Sequence, residues 1–539
     1  MRRGVKLGIV AALTAGLVGT AGYGAYNVYT GLTGGSGFSA QAAPVETGPP
    51  TAAEVEKTAA DFLAAWAKGD ATAAGALTNE AATATEALTA YRRDAHVTGL
   101  RLTPGTADGD VVPFKVVASL SYKGTTSTWT YSSALTVFRG ETTHRPLVDW
   151  EPAVLHPQLT AGQSLETGEA ASPPVVVVDR HGKELDEADY PSLASVLPQL
   201  RERYGAGLSG GKPGIETWVN GADGPGQTLH VLAKGTAAKL PTTLDARLQK
   251  AAEQAVKGRE QSSVAAVKAS TGAILAFANN PSTANNNAFN AQVAPGSTFK
   301  VVTATALLER GVTPGTAAPC PATANYDNGK MFHNVESSSD PSASFQHDFA
   351  ISCNTGFIKL AGRLDASSVP SVSRRYYGFG QTWNVGVPAW DGSVPGGAGD
   401  EMTEEMIGQG QIQMSPLNMA SVAATVQNGV FRQPRLVAAD LIEGPLAKAR
   451  GSLPSGVRSN LKSMMRLTAS SGTAAGAMRG VHGDVGAKTG SAEVGGQDRP
   501  NGWFVAYRGD LAAAGMVLEG GHGGDSAGPI VASVLKASS

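Results

Sequence analysis

Three clusters of residues in this 539-residue chain have the types and the order needed for acyl transfer through a serine ester. Ser297 carries Lys300 at i+3 in the stretch Pro295-Gly296-Ser297-Thr298-Phe299-Lys300. Ser352-Cys353-Asn354 begins 55 residues after Ser297, and Lys488-Thr489-Gly490-Ser491 begins 136 residues after Ser352. A serine hydroxyl becomes a good nucleophile only when a nearby base takes its proton. A lysine one helical turn away, with its pKa lowered by desolvation, is such a base. Ser352 would carry a proton between lysine and leaving group, and Asn354 would hydrogen-bond a substrate amide. Lys488 would add a cationic field, and the hydroxyls of Thr489 and Ser491 would hold a carboxylate. Gly490 would let a ligand backbone approach closely. The backbone N–H groups of Ser297 and Ser491 would form an oxyanion hole. Each cluster also has an ordinary reading: a Ser-x-x-Lys on a solvated helix face, a polar turn after a helix, and an edge strand guarded by a lysine. Each motif alone is common; three in this order, at domain-scale spacing, favour the chemical reading.

These groups need elements to hold them. Pro295-Gly296 stops the preceding chain, so Ser297 is expected to start a helix. Phe299, Val302, Ala306 and Leu307 would be its buried face and Gly311 its end. A helix N-terminus favours the negative charge that develops near Ser297. Residues 485–494 read as a strand, with Lys488 and Gly490 on one face and Thr489 and Ser491 on the other. Residues 263–269 and 273–278 read as a hairpin, as do 503–507 and 512–518, and 529–536 as a closing helix. Asp245 suits the N-cap of a helix over 246–257, with Leu248, Ala251, Ala252 and Ala255 as its apolar side. Strands at both ends of 242–539 predict one antiparallel sheet built from the two termini of that domain, flanked by helices.

Upstream, residues 51–69 and 79–93 read as helices, followed by alternating stretches at 97–102, 111–122, 127–138 and 146–150, an α+β pattern over 51–157. Residues 158–241 form another unit, with a buried strand at 175–178, a turn at 179–182, a mostly helical stretch at 190–204 and a loop at 205–214. Residues 31–50 are rich in Gly, Ser, Pro and Ala and read as a flexible linker. Met1-Arg2-Arg3 and Lys6 precede an uncharged apolar span over 7–29, which is 23 residues long and ends in Tyr23, Tyr26 and Tyr29. This predicts an uncleaved signal anchor at 1–30, with the rest of the chain outside the membrane; a cleaved signal peptide is the competing reading.

Composition narrows the alternatives. The net charge is −2 and no dense Lys/Arg tract occurs, so no nucleic-acid partner is expected. The two cysteines, Cys320 and Cys353, exclude a disulfide framework or a cysteine zinc site. One bridge between them and two free core thiols both remain open readings. No cofactor or metal is called for.

With these residues in view, the chain resembles the class B penicillin-binding proteins, which cross-link peptidoglycan as D,D-transpeptidases. The resemblance rests on Pro295–Lys300, on Thr242-Thr243-Leu244-Asp245 with Leu248-Gln249, and on Gly408-Gln409-Gly410 with Ser415-Pro416-Leu417. It also rests on Gly472-Thr473-Ala474 and on Asp179-Arg180-x-Gly182-x-x-Leu185, the last being similar to a motif of the family's non-penicillin-binding, dimerisation-type linker domain. The unit at 51–157 is similar to the NTF2-like extension of the methicillin-resistance type. The resemblance implies a multidomain α+β protein: anchor, NTF2-like domain at 51–157, linker domain at 158–241 and transpeptidase domain at 242–539.

It further implies that Ser297 attacks the D-Ala-D-Ala bond of a stem peptide and that β-lactams acylate the same serine. Lys300 would be the base, Ser352 the proton relay and Asn354 a substrate contact, with Lys488, Thr489, Gly490 and Ser491 forming the carboxylate and oxyanion site. The implied partners are peptidoglycan stem peptides, β-lactams and a membrane glycosyltransferase. Ser491 stands where threonine is commoner, and a hydroxyl remains. A D,D-carboxypeptidase, a serine β-lactamase and a catalytically silent cell-wall scaffold are the competing readings.

Overall fold

The computed structural model describes residues 47–282, 285–335 and 338–538. The anchor expected at 1–30 and most of the linker at 31–50 lie outside the described residues. Among the described residues no helix is long and apolar enough to cross a membrane. The chain folds into two compact units, one of residues up to 168 plus 216–232, the other of 169–215 plus 233 onward. The segment 158–241, read from the sequence as one unit, is thus shared between them.

The first unit opens with helix α1 (Ala52–Lys68). Thr51 and Glu54 form a reciprocal capping box at its start, and Gly69 ends it at φ 84°. Val55, Ala59, Phe62, Leu63 and Trp66 recur at helical spacing and are all buried. Two more helices, α2 (Ala71–Gly75) and α3 (Ala81–Arg93), precede an antiparallel sheet of β1 (Val97–Pro104), β2 (Val111–Tyr122), β3 (Thr125–Arg139) and β4 (Pro146–Asp149), paired in sequence order. Along β2, Val112, Phe114, Val116, Ala118 and Leu120 alternate inward onto α1, where Trp66 meets the Phe114 ring edge-on at 6.0 Å. A second sheet pairs β5 (Ser164–Glu169), β6 (Ile215–Gly221) and β7 (Gly224–Ala233) in that order. The hairpin of β6 and β7 was not anticipated from the sequence; its tip at Asp223-Gly224 places Gly224 at φ 91°.

The second unit contains the three chemical motifs. Its sheet has the order β9–β8–β12–β11–β10, all antiparallel: β8 (Ser262–Lys268), β9 (Ile274–Asn280), β10 (Val485–Ala492), β11 (Asn501–Arg508) and β12 (Leu511–Val517). The two hairpins and the union of the domain's ends are as expected. Nearly every residue of β8, β11 and β12 is buried, because helices cover both faces. Val264, Ala266, Phe504 and Ala513 face the core under α4 (Ala246–Lys257) and α9 (Ala527–Lys536). Ala265, Val505, Ala512 and Ala514 face the larger core that contains α5 (Lys300–Glu309) and α8 (Pro416–Asn428). The Asp245 carboxylate caps α4 by accepting from Arg247 and Leu248 N–H.

The family-like motifs outside the site have structural work. Asp179 accepts from the N–H groups of His181, Lys183 and Ala246, tying its turn to the start of α4. Ser415 and Asn418 form a capping box at the start of α8.

Candidate active site

Ser297 does not start an α-helix, as the Pro-Gly stop had suggested. Gly296–Phe299 is a single 3₁₀ turn, and α5 begins at Lys300. The turn is held from two sides. Gly296 sits at φ 52°, donates to Gly408 O at 2.9 Å, and lies where a side chain would meet Ser491 O at 2.6 Å. Gly408 itself leaves no room for a Cβ against Gly296 O. Gly490 of β10 has the same origin: a Cβ there would meet Pro295 O and Thr298 N, each at 2.9 Å. The glycine lets the strand lie flush on the serine turn of its own chain, and Gly490 also lines the cleft. Nor is α5 one-sided: every residue from Lys300 to Leu308 is buried.

The second motif joins two short helices, α6 (Phe345–Ile351) and α7 (Asn354–Lys359). Ser352 ends α6 in the left-handed region at φ 66°, a costly conformation for a residue with a Cβ. Cys353 caps α7, its Sγ accepting from Gly356 N–H, and is bonded to Cys320. The bridged reading is therefore the one observed. Asn334, which no sequence signal marked, supports the turn: its Oδ1 accepts from Asn354 N–H at 2.9 Å and Thr355 N–H at 3.1 Å.

Lys300 and Lys488 are both fully buried. Lys300 Nζ donates to Ser352 O at 2.8 Å, Cys353 O at 3.1 Å and Asn354 Oδ1 at 2.7 Å, and lies 5.1 Å from the Phe357 ring centre. An amine that donates three hydrogen bonds has used all its protons and is an ammonium. Burial drives its pKa well below the ordinary lysine value, Lys488 pushes the same way, and Asp348 opposes. Lys488 Nζ donates to Ser352 Oγ at 2.8 Å and to Thr489 O at 2.9 Å; burial pushes it down to about 7. Ser352 thus bridges the lysines, carbonyl to one and hydroxyl to the other. Ser297 Oγ has no hydrogen-bond partner among the described residues, and Ser297 lines a cleft.

That cleft encloses about 1030 Å³. Ser297, Ser352, Asn354, Thr489, Gly490 and Ser491 line it, while Lys300 and Lys488 lie behind its wall. Thr473, from the Gly-Thr-Ala stretch, shares a 2.6 Å hydrogen bond with Thr489 and donates its N–H to Ala350 O, joining β10 to the end of α6. Sequence reasoning missed several lining groups, among them His333, Glu404 (paired with Lys330 at 2.7 Å), Glu493, His522 and Asp525. Glu404 lies on a short helix (Asp400–Met406) and His333 on a two-residue strand, the others in loops, and no recurring spacing marks any of them. Among the described residues, Cys320, Cys353 and Asp348 are near enough to share a metal ion, but the two sulfurs are joined to each other, leaving one carboxylate.

Comparison with known proteins agrees with this geometry. The profile of the penicillin binding protein transpeptidase domain matches residues 262–536, and that of the NTF2-like N-terminal transpeptidase domain matches 54–163. The peptidoglycan D,D-transpeptidase PbpA of Mycobacterium tuberculosis is 28% identical over 359 residues, which cover 55% of this chain and 71% of the relative. A solved ceftriaxone acyl-enzyme complex of penicillin-binding protein A from M. tuberculosis superposes with TM-score 0.50 at 24% identity, covering 68% of this chain and 90% of that one. A structure described as coordinating polymerization and crosslinking in a peptidoglycan synthase complex superposes with TM-score 0.55 at 22% identity, covering 70% and 92%. The fold, the cleft and these matches together identify the chain as a member of the penicillin-binding transpeptidase family, with an NTF2-like domain before its catalytic unit.

Proposed function

We propose that the chain is a peptidoglycan D,D-transpeptidase acting through a serine ester on Ser297. The observation that carries this reading is a cleft-lining serine backed by two buried lysines, which Ser352 links. Ser297 Oγ attacks the carbonyl carbon of the D-Ala-D-Ala bond of a donor stem peptide. Its proton passes to Lys300 in the amine form, reached when Lys300 has shed a proton and released one of its three acceptors. The C–N bond to the terminal D-alanine breaks, and the departing nitrogen takes a proton delivered through the Ser352 hydroxyl. The amine of a second stem peptide then attacks the ester carbonyl and gives up a proton by the same route. The new amide forms and Ser297 regains its hydrogen.

Lys488, Thr489 and Ser491 hold the donor's terminal carboxylate, with Gly490 fixing their strand against the serine turn. Asn354 contacts the substrate amide. The N–H groups of Ser297 and Ser491 take the oxyanion charge; the first N–H groups of a helical segment have no intrahelical acceptor, which suits Ser297 N–H to this task. A β-lactam offers the same carbonyl to Ser297, but its leaving nitrogen stays tethered, so the ester persists.

Cross-linking consumes newly made glycan, so a membrane glycosyltransferase is the partner this reading calls for. We place the catalytic unit on the outer face of the cell membrane, tethered by residues 7–29; the basic residues before that uncharged span support the orientation. The test is labelling of membranes carrying the full chain with a fluorescent penicillin. A stable adduct on the native chain, abolished by Ser297→Ala, is expected. No adduct, or one that hydrolyses within minutes, would overturn the reading in favour of a scaffold or a β-lactamase.

A further inference from the structure

Asp348 lies on α6, one turn before Ser352, and is fully buried. Neither carboxylate oxygen has a hydrogen-bond partner among the described residues. Buried carboxylates are ordinarily supplied with donors, and each one left without them requires a reason. Its surroundings supply none. One oxygen lies within 4.8 Å of the sulfurs of the Cys320–Cys353 bridge, which have no proton to give. Asp348 Oδ2 packs so closely on Gly356 that a Cβ there would overlap it. The charged groups that act on Asp348 are Lys300 and, more weakly, Asp340, which itself pairs with His347 at 3.3 Å. Lys488 in turn acts on Lys300. Among the described residues, the cation that answers Asp348 is therefore the lysine holding the Ser352-Cys353-Asn354 turn.

We propose that Asp348 is a positioning residue for the reaction: a buried counter-charge that keeps Lys300 an ammonium in the resting site and sets the basicity with which Lys300 later takes the Ser297 proton. Three acceptors around Lys300 Nζ require the ammonium, yet burial and Lys488 both disfavour it. Among the described residues, Asp348 is the one group acting on Lys300 in the opposite sense. The coupling is mutual. Burial outweighs the attraction of Lys300 and leaves the Asp348 carboxyl raised to about 7, so the counter-charge is present above that pH. A hydrogen-bonded carboxylate would have spent its charge on its donors; without donors, its field falls on Lys300.

This inference rests on the transpeptidase reading, and one experiment separates the two. The acylation rate of the full chain by a fluorescent penicillin is measured from pH 5 to 9 for the native protein, Asp348→Asn and Asp348→Glu. Acylation requires the amine form of Lys300, so the rate rises with pH along an acidic limb. Loss of the carboxylate lowers the Lys300 pKa, so in Asp348→Asn the limb moves to lower pH, by about one unit for a neighbouring opposite charge. The plateau falls several-fold, because a weaker base accepts the proton less readily. Asp348→Glu keeps the charge and restores the limb to its native position. If Asp348→Asn does not fold, Asp348→Ser, smaller and equally neutral, makes the same comparison.

A structural role alone would scale the rate without moving the limb, and a limb at the native pH in the neutral variants overturns the proposal. Displacement in Asp348→Glu as well overturns it too. A native chain that forms no adduct removes the transpeptidase reading and this one together. A labelled native chain with an unmoved limb removes only the role of Asp348.

Discussion

Lys488 shows what the site costs the fold. Unfolded, its amine has the ordinary value of 10.5; folded, burial pushes it down to about 7. Between those values the unfolded chain binds a proton that the folded chain does not. Stability therefore rises with pH from about 7 to about 10.5, and the full penalty is carried below pH 7. Lys488→Met keeps the volume and removes the charge. It is expected to raise stability at pH 6–7 by on the order of 1–3 kcal/mol, since one pKa unit corresponds to about 1.4 kcal/mol. The same variant is expected to lose acylation by the fluorescent penicillin, because Ser352 Oγ loses its donor and the carboxylate site its cation. A thermal melt at several pH values, read beside the labelling rate, checks both halves. A less stable Lys488→Met would mean that its two hydrogen bonds outweigh the buried charge. Trading stability for a charged site is the usual pattern in active sites.

At the scale of elements, the site is three short pieces braced against one another: a 3₁₀ turn, the α6–α7 corner and edge strand β10. The Cys320–Cys353 bridge fastens the corner, whose carbonyls at Ser352 and Cys353 hold Lys300. Closing a loop of 33 residues removes unfolded-state entropy worth about 3–4 kcal/mol. Cys320→Ser is expected to lower stability by that order and to slow acylation several-fold, because Lys300 loses a rigid seat. Unchanged labelling in a less stable protein would confine the bridge to a structural role.

Much of this arrangement was legible in the sequence. Alternation marked β2 and β3, Asp245 marked the start of α4, and the three motifs marked most of the cleft's chemistry. What escaped has a physical pattern. The β6–β7 hairpin escaped because β7 is mostly half-buried or exposed, which blurs its alternation. The burial of Lys300 and Lys488 is made by residues distant in sequence, such as Phe357 and Phe349, and no local signal announces it. Asp348 is an ordinary helix residue until Lys300 and the bridge are packed beside it.

At the scale of the whole molecule, the chain has two bodies with separate apolar cores, one around Phe62, Trp66 and Phe114, the other around the sheet that carries β10. The backbone passes between them at 168/169, 215/216 and 232/233. Val219 of the β6–β7 hairpin belongs to the first core although it lies after residue 215. A body with its own core unfolds as its own cooperative unit, and a ligand stabilises only the unit that binds it. All the residues lining the cleft belong to the second body. Calorimetry of the full chain is therefore expected to show two transitions. Saturation with a β-lactam should raise one of them by several degrees and leave the other in place. Ser297→Ala should show the same two transitions with neither moved by the drug. A single transition that shifts as a whole would show instead that the two cores unfold together, and that acylation of Ser297 is felt as far as the helices around Trp66.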